Sequence, residues 1–242
     1  MTEKVRTAVS LSMTLVLCAA SGYGPEETPV VIESDGWRLV GEMRLPANAA
    51  EPVPAVVLLH GAARNRAAYS ELARQLASRG VASLRLDLRA HGESVNRGRF
   101  AGEPEALPLI EGTPRDVVAA HRYLEGLPVI DSSRIAFAGA SYSGEAMAEA
   151  GRLHRKGRAY VALSPGSLSD ESIAEIDPSG IPWLYVRSRD ERRVTEVTEA
   201  VQRNSGAEIW IVPGSAHGSD LVLGPPDLSE RVAVWLAARL GS

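Results

Sequence analysis

Short, mainly apolar runs alternate with longer amphipathic stretches along most of the chain. Gly, Pro, Asp and Ser bound the short runs, which is typical of buried strands. Between them apolar residues recur at helical spacing, as Leu72, Ala73 and Leu76 do before Gly80. The pattern predicts strands over residues 30–33, 37–45, 55–59, 81–86, 135–139, 159–163, 183–186 and 209–212. It predicts one helix after residue 69, one that starts at Thr113, and three over residues 145–153, 194–204 and 229–240.

The order of these elements indicates an α/β fold. Asp35-Gly36 separates the first two strands, and this dipeptide favours a tight antiparallel hairpin. The later strands alternate with helices, as they do in a parallel sheet covered on both faces. In such sheets the reacting groups gather at the carboxyl ends of the strands. The residues that directly follow each strand are therefore the candidates for chemistry.

The first 22 residues differ from the rest of the chain. Lys4 and Arg6 precede the apolar stretch 8–17, and small residues follow it, which is the pattern of a secretory signal peptide. The stretch is shorter than the ~20 apolar residues that a membrane-spanning helix needs. We predict a signal peptide over 1–22, a linker over 23–29 and one domain over 30–242. The expected location is a bacterial periplasm or cell envelope, or the medium.

Cys18 is the only cysteine, so no internal disulfide is predicted. It follows Leu15-Val16-Leu17, and the segment resembles a bacterial lipobox, in which a diacylglyceryl group is attached to the cysteine. Leu17 departs from that pattern, which has Gly, Ala or Ser before the cysteine. Three interpretations stay open: a lipid anchor at Cys18, cleavage after Ala20 or Gly22, and an uncleaved anchor. Only the lipid or an uncleaved anchor would bring the protein to a membrane.

Composition limits the class of partner. A chain of 242 residues with 45% apolar residues can form one sizeable domain with a packed core. The net charge of −4 and the lack of a basic run argue against nucleic-acid binding. No His, Cys and carboxylate cluster has metal-ligand spacing, and no glycine-rich phosphate loop is present. We therefore predict neither a metal nor a cofactor, and the sequence indicates no oligomeric state.

Ser141 is the most informative residue. It stands between the predicted strand 135–139 and the predicted helix 145–153, with Gly139 before it and Ser143-Gly144 after it. A serine at a sharp strand-to-helix turn is the setting of a nucleophile elbow, where small neighbours let the strand and the helix pass closely. The sequence therefore predicts covalent catalysis by Ser141.

Two further side chains that such a serine requires also follow strands. Asp190 comes after the strand 183–186, and His217 comes after the strand 209–212. A histidine can take the serine proton and return it to a leaving group, and a carboxylate can orient the imidazole. We predict the backbone N–H groups of Ala62 and Tyr142 as donors to the oxyanion. Glu191 and Asp170 are rival candidates for the acid, and Asp190 is preferred by its position.

These residues carry a resemblance to a known family. The order Ser141, Asp190, His217, together with LLHGAARN, LRLDLRAHGES and GASYSG, resembles the α/β-hydrolases, closest to a lidless branch of dienelactone-hydrolase-like proteins and serine esterases. The resemblance covers residues 28–240. It implies a mostly parallel twisted sheet with an N-terminal antiparallel hairpin, helices on both faces and no cap domain. Ser143 departs from the family's second glycine. The segment GASYSG, residues 139–144, also resembles the corresponding segment of prolyl-oligopeptidase-type enzymes.

The other histidines receive structural interpretations. In the light of the resemblance, His60 is expected beside the oxyanion hole and His91 in a structural turn. His121 lies on the apolar side of a predicted helix and is expected to be at least half-buried. His154 stands beside basic residues and is expected to be exposed.

Only residues 167–181 separate two predicted strands at the place where many α/β-hydrolases insert a helical cap. The site is therefore expected to be open. Several arginines fall in loops at the same edge, and most are expected to be ordinary surface residues in an arginine-rich chain. The alternative is that one or two bind a substrate carboxylate. These residues are Arg64, Arg66, Arg89, Arg97, Arg99, Arg187, Arg189, Arg192 and Arg193.

The sequence as a whole indicates a serine hydrolase, of carboxylesterase type, that cleaves small to medium carboxylic esters through an acyl-enzyme. The predicted catalytic residues are Ser141, Asp190 and His217, and the partner is a small-molecule ester. Two alternatives remain open: a serine peptidase or amidase of prolyl-oligopeptidase-like type, and a catalytically silent hydrolase fold used for binding. A dehalogenase is disfavoured, because that chemistry places an aspartate at the elbow.

Overall fold

A computed structural model describes residues 27–47, 49, 51–102, 106–154, 157–176, 180–204, 206–224 and 226–242. The predicted signal peptide over 1–22, with Cys18, and the linker residues 23–26 lie outside the described residues. None of the described helices combines the length and the apolar character that crossing a bilayer requires.

The described part of the chain forms one eight-stranded sheet with the order β1-β2-β4-β3-β5-β6-β7-β8. Strand β2 pairs antiparallel with β1 and with β4, and the other neighbours are parallel. The strands are β1 Glu27–Ser34, β2 Trp37–Arg44, β3 Val53–Leu59, β4 Ala82–Leu86, β5 Ile130–Ala140, β6 Tyr160–Leu163, β7 Trp183–Ser188 and β8 Glu208–Val212. The fold prediction is confirmed: this is an α/β-hydrolase sheet in which β1 begins within the predicted linker.

The hairpin between β1 and β2 follows from its two turn residues. Asp35 has φ 51° and Gly36 has φ 76°, and two successive positive φ values define the turn that matches the twist of a two-residue hairpin. Ser34 and Trp37 face each other across this turn. The hairpin predicted from Asp35-Gly36 is confirmed, and its two-residue turn sets the observed register of β1 and β2.

Helices cover both faces of the sheet. They are α1 Ser70–Ala77, α2 Ala106–Glu125, α3 Tyr142–Leu153, α4 Asp170–Ile176, α5 Thr195–Asn204, α6 Asp220–Leu223 and α7 Pro226–Leu240. In β3, Val57 belongs to the apolar cluster beneath α2, α3 and α5, whereas Val56 and Leu58 belong to the cluster beneath α1, α6 and α7. Because both faces are buried, the strands appear in the sequence as continuous apolar runs.

Helix α2 begins earlier than predicted. Its first residue is Ala106, so Thr113 and Pro114 lie inside the helix instead of capping it. The Thr113 hydroxyl donates to the Leu109 carbonyl at 2.9 Å, a bond back to the preceding turn that a helical threonine can make. Leu109 packs against the core, and this packing favours helix ahead of the proline. The predicted start at Thr113 is therefore wrong.

The connection between β6 and β7 contains, in its described residues, only the short helix α4. Such a segment is too small to form a cap domain. The predicted lidless architecture agrees with this connection, and the carboxyl ends of β5 to β8 lie at one uncovered edge of the sheet.

Candidate active site

Ser141 lies at the sharp turn between β5 and α3. Its backbone has φ 54° and ψ −123°, a positive φ that non-glycine residues rarely adopt. The Ser141 N–H donates to the Leu163 carbonyl of β6 at 3.0 Å, and the Ser141 carbonyl accepts the Gly144 N–H at 3.0 Å. This strained strand-to-helix turn has the geometry of a nucleophile elbow and exposes the hydroxyl at the end of the sheet.

The structure explains why Ser143 can replace the family's second glycine. Its hydroxyl is buried, accepts the Ala140 N–H at 2.7 Å and lies 2.9 Å from the Leu59 carbonyl. The serine therefore ties the elbow to β3. Gly139 and Gly144 provide the close approach, because a Cβ at Gly139 would lie 2.6 Å from the Ser143 carbonyl oxygen and one at Gly144 only 2.8 Å from a proline side chain.

His217 reaches the hydroxyl of Ser141 from the loop after β8. The distance from His217 Nε2 to Ser141 Oγ is 2.9 Å, which is within hydrogen-bond range for proton transfer. The His217 side chain is 45% exposed, so solvent reaches the imidazole directly. The structure thus brings together Ser141 and His217, the predicted nucleophile and the predicted base.

The carboxylate that contacts His217 belongs to Glu191 and not to Asp190, the residue preferred from the sequence. Glu191 Oε1 pairs with His217 Nδ1. Asp190 is exposed, and its N–H donates to the Gly214 carbonyl at 3.0 Å, which fixes the loop between β7 and α5. The same loop directs the Glu191 side chain, which is only 7% exposed, toward His217. The other rival, Asp170, lies exposed on α4.

Ser164 is a site residue that the sequence analysis misses. It directly follows β6, is fully buried, and its hydroxyl donates to Glu191 Oε2 at 2.6 Å. Its φ is 43°, so its backbone is left-handed as well. The only signal in the sequence is its position after a strand of the parallel sheet, a place where polar residues reach the active edge.

The two predicted oxyanion donors come from the start of α3 and from the loop that follows β3. Tyr142 is the first residue of α3, so its N–H precedes the helix's own hydrogen bonds and stands at the positive end of the helix dipole. Ala62 follows Gly61, whose Cβ position would be 3.3 Å from the Ser141 Cβ. Among the described residues neither N–H has an acceptor. In the part of the chain that the structure describes, both N–H groups are therefore unpaired, as the predicted role of oxyanion donor requires.

The neighbouring histidines lack the contacts of a general base. His60 is buried; its Nδ1 contacts the Gly61 carbonyl at 2.7 Å and its Nε2 accepts the Leu88 N–H at 3.0 Å. Burial lowers the His60 pKa from its ordinary 6.5 to about 4, so the ring is neutral. His91 is also buried, with a lowered pKa, and stacks on Phe100 at 5.0 Å. Both therefore brace the loops around the elbow.

The remaining histidines lie away from the elbow. His121 is buried on α2 and stacks on Phe137 at 5.7 Å. His154 is exposed at the end of α3. Within the described ranges, no group of His, Cys, Asp and Glu has the arrangement of a metal site.

Most arginines at the active edge already have partners. Arg66 and Arg89 form ion pairs with the buried carboxylates of Asp87 and Asp116. Arg64 makes two bonds of 2.7 Å with Asp220. The others are exposed or bonded to carbonyl groups, except that the Arg193 side chain lies outside the described residues.

A cleft of about 430 Å³ lies beside the loop that carries Ala62. Its walls include Ala63, Arg64, His91, Arg99 and Phe100. Arg99 is exposed and donates to the Gly92 carbonyl at 3.3 Å. The cleft therefore offers an aromatic wall and two arginine side chains, of which Arg64 is already paired with Asp220.

Solved α/β-hydrolases share this fold. Est1E from Butyrivibrio proteoclasticus is 18% identical, with a TM-score of 0.68 over 88% of this chain and 99% of that one. A dienelactone hydrolase from Anabaena variabilis is 19% identical, with a TM-score of 0.65 over 89% and 97%. A dienelactone hydrolase-like promiscuous phosphotriesterase, P91 from metagenomic libraries, is 21% identical, with a TM-score of 0.69 over 90% and 99%.

The family of this chain follows from a sequence relative and from a family model that matches more than half of its residues. An uncharacterized protein of Mycobacterium tuberculosis is 32% identical over 222 residues, which are 90% of this chain and 70% of that protein. The family model described as serine aminopeptidase, S33, matches residues 50–203, which contain Ser141 and Glu191. The chain therefore belongs to the serine aminopeptidase S33 family and is a hydrolase of the α/β-hydrolase superfamily.

Proposed function

We propose that this hydrolase is a serine esterase that cleaves small to medium carboxylic esters through an acyl-enzyme. The observation that carries the proposal is the continuous contact from Ser141 Oγ through the His217 ring to Glu191 Oε1. A nucleophile, a base and an orienting carboxylate in this order form the arrangement that activates a serine.

In the first half of the reaction, Ser141 Oγ attacks the ester carbonyl carbon while His217 Nε2 takes the hydroxyl proton. The carbonyl oxygen becomes an oxyanion, and the N–H groups of Ala62 and Tyr142 stabilise it. The tetrahedral species then breaks its bond to the alkoxy oxygen, and His217 returns the proton to that oxygen. An alcohol leaves, and the acyl group stays on Ser141.

The second half repeats these steps with water. His217 takes a proton from water as the water oxygen attacks the acyl carbon, and the bond to Ser141 Oγ breaks as the proton moves to that oxygen. Glu191 stabilises the imidazolium in both halves. Because the His217 ring is 45% exposed, water reaches it without movement of the protein.

Small to medium substrates fit the space around the nucleophile. Gly166 contributes no side chain there, and a Cβ at this position would meet only Ser141 Oγ, at 3.9 Å. The separate cleft of about 430 Å³ lined by Ala63, Arg64 and Phe100 is large enough for a group of moderate size. A solved structure of Est1E contains ferulic acid, an aromatic acid of this size.

Peptide or amide cleavage is the second candidate, and the family description as a serine aminopeptidase favours it. The same three residues would serve, but an amine leaving group must be protonated more fully than an alcohol. An aminopeptidase also needs an anion for the free ammonium group of its substrate. Asp220, a carboxylate near the site, is already paired with Arg64.

The test of the proposed function is labelling of the full chain by a fluorophosphonate probe, with Ser141→Ala as the variant. We expect labelling in the wild type and none in Ser141→Ala. A panel of acetyl, butyryl and hydroxycinnamoyl esters, with aminoacyl anilides beside them, then separates the two candidates. A folded wild-type protein that is not labelled would instead be a binding protein on a hydrolase fold.

The predicted leader carries a separate proposal, that the protein is exported. Lys4, Arg6 and the apolar stretch 8–17 support it. Expression in a bacterial host followed by fractionation should place the protein outside the cytoplasm. Incorporation of labelled palmitate by the wild type but not by Cys18→Ser would show the lipid anchor, and its absence from both would favour cleavage.

A further inference from the structure

We propose that Ser164 is a positioning residue that holds the Glu191 carboxylate against His217. The hydrogen-bonded series that begins at Ser141 then has four side chains instead of three. This inference rests on the proposed function. It is carried by three observations on Ser164: its hydrogen bond to Glu191, its place in the backbone of the site, and its left-handed conformation.

The first observation concerns the carboxylate. The Glu191 side chain is 7% exposed, so water does not satisfy its oxygens. His217 Nδ1 pairs with Oε1, and the Ser164 hydroxyl donates to Oε2 at 2.6 Å. Among the described residues Glu191 has no other side-chain partner. The two bonds fix the rotation of the carboxylate, and without the Ser164 hydroxyl Oε2 would be a buried acceptor with no donor.

The second observation concerns the backbone. The Ser164 N–H donates to the Val186 carbonyl of β7 at 2.7 Å, and the preceding residue, Leu163, accepts the Ser141 N–H at 3.0 Å. The end of β6 therefore contacts the strand that leads to the acid and the turn that carries the nucleophile. A hydroxyl at this point holds Glu191 in a fixed position relative to Ser141, which is what a positioning residue must do.

The third observation concerns strain. Ser164 has φ 43°, a region in which a residue with a Cβ is disfavoured and glycine is not. Glycine would therefore suit the backbone better than serine. The residue that occupies the position instead provides a hydroxyl to a buried carboxylate, and an outlier of this kind points to a role for the side chain.

The test compares full-length Ser164→Gly and Ser164→Ala with the wild type. Both variants remove the hydroxyl, but Ser164→Gly also relieves the left-handed strain, so its thermal midpoint should be no lower than that of Ser164→Ala. We expect kcat and the rate of fluorophosphonate inactivation to fall about 10- to 100-fold in both variants, the factor that loss of a hydrogen bond to a charged group implies. KM should change less than about threefold, because Ser164 does not touch the substrate.

A matched control comes from Ser34. Its hydroxyl donates to the buried carboxylate of Asp116 at 2.7 Å, and among the described residues neither side chain is hydrogen-bonded to Ser141, His217 or Glu191. Ser34→Ala removes the same kind of bond, so it should lower stability while leaving kcat within about twofold. A loss of kcat in Ser34→Ala equal to that in Ser164→Ala would overturn the proposal.

A double-mutant cycle shows whether Ser164 acts through Glu191. In a Glu191→Ala background there is no carboxylate to hold, so adding Ser164→Gly should cause no further loss of the residual activity. An equal, additive loss in that background would overturn the proposal, and so would wild-type kcat in Ser164→Gly. These failures leave wild-type labelling intact, whereas an unlabelled wild type would remove the proposed function and this inference together.

Discussion

Two buried carboxylates, Asp116 and Glu191, differ in the partner that balances their charge. Asp116 on α2 and Glu191 after β7 each accept a serine hydroxyl, at 2.7 and 2.6 Å. Asp116 also accepts Arg89 through bonds of 2.9 and 2.6 Å. Glu191 meets the His217 ring instead, and no arginine or lysine contacts it among the described residues.

If the proposed function holds, the difference separates a carboxylate that stabilises the fold from one that serves the reaction. The charge of Asp116 is permanently compensated by a guanidinium that stays protonated. The charge of Glu191 has a full countercharge only while His217 carries a proton, which is the state that forms during the proposed reaction. A buried carboxylate whose partner is an imidazole is therefore suited to stabilise a transient cation.

The largest expected effect comes from removing the charge of Glu191. Glu191→Gln keeps the shape but cannot stabilise the imidazolium, so kcat should fall about 10³- to 10⁴-fold. Asp190→Asn is the matched control and should stay within about threefold, since Asp190 is exposed and does not contact His217. The measurement is kcat on a small ester, and an inverted order of the two variants would restore Asp190 as the acid.

The reverse experiment removes the charge of Asp116. Asp116→Asn leaves Arg89 buried beside a neutral amide, so the free energy of unfolding should drop by about 3–5 kcal/mol. Urea unfolding measures this drop, and kcat of the folded fraction should change less than about threefold. If kcat falls as it does in Glu191→Gln while stability is kept, the distinction between the two carboxylates is wrong.

A third prediction extends the comparison from carboxylates to histidines. His60 is buried and neutral, with a pKa lowered to about 4 from 6.5. Between about pH 6.5 and pH 4 the unfolded chain therefore binds a proton at His60 that the folded protein does not bind. The contribution of His60 to the free energy of unfolding is complete above about pH 6.5 and falls by about 3 kcal/mol as the pH drops through about 4. Urea unfolding between pH 7 and pH 4 should show a shallower dependence in His60→Asn than in the wild type.

The smallest expected effect concerns substrate size. Gly166→Val would place a side chain beside Ser141 Oγ in otherwise open space. Turnover of hydroxycinnamoyl esters should fall about tenfold, while acetyl esters change less than about twofold, because a pocket discriminates size by roughly 1–3 kcal/mol. Equal changes for both esters would show that Gly166 does not border the acyl group.

Much of the fold could be predicted from the sequence, because each strand is a local apolar run and each elbow residue is a local small residue. Ser141 is predictable from its strand–turn–helix setting, and His217 from its place in the loop after the last strand. Asp190 and Glu191 are adjacent, however, and the loop that directs their side chains is held by a contact with the distant Gly214 carbonyl, which the local sequence does not reveal. Ser164 was missed for the same reason, since its partner is 27 residues away.

The early start of α2 shows a second kind of failure. Thr113 and Pro114 form a strong local start signal, but tertiary packing of Leu109 extends the helix toward its N-terminus. Local rules describe what a segment prefers in isolation, whereas the chosen boundary depends on surfaces that distant parts of the chain provide.

The exposure of the His217 ring has a consequence for behaviour at oil–water interfaces. Lipases with a mobile lid become more active when aggregated substrate opens that lid. Here the described connection between β6 and β7 holds only α4, and the ring is 45% exposed in the resting protein. The rate on a sparingly soluble ester should therefore follow the dissolved monomer and level off at its solubility limit, without a jump when droplets or micelles form.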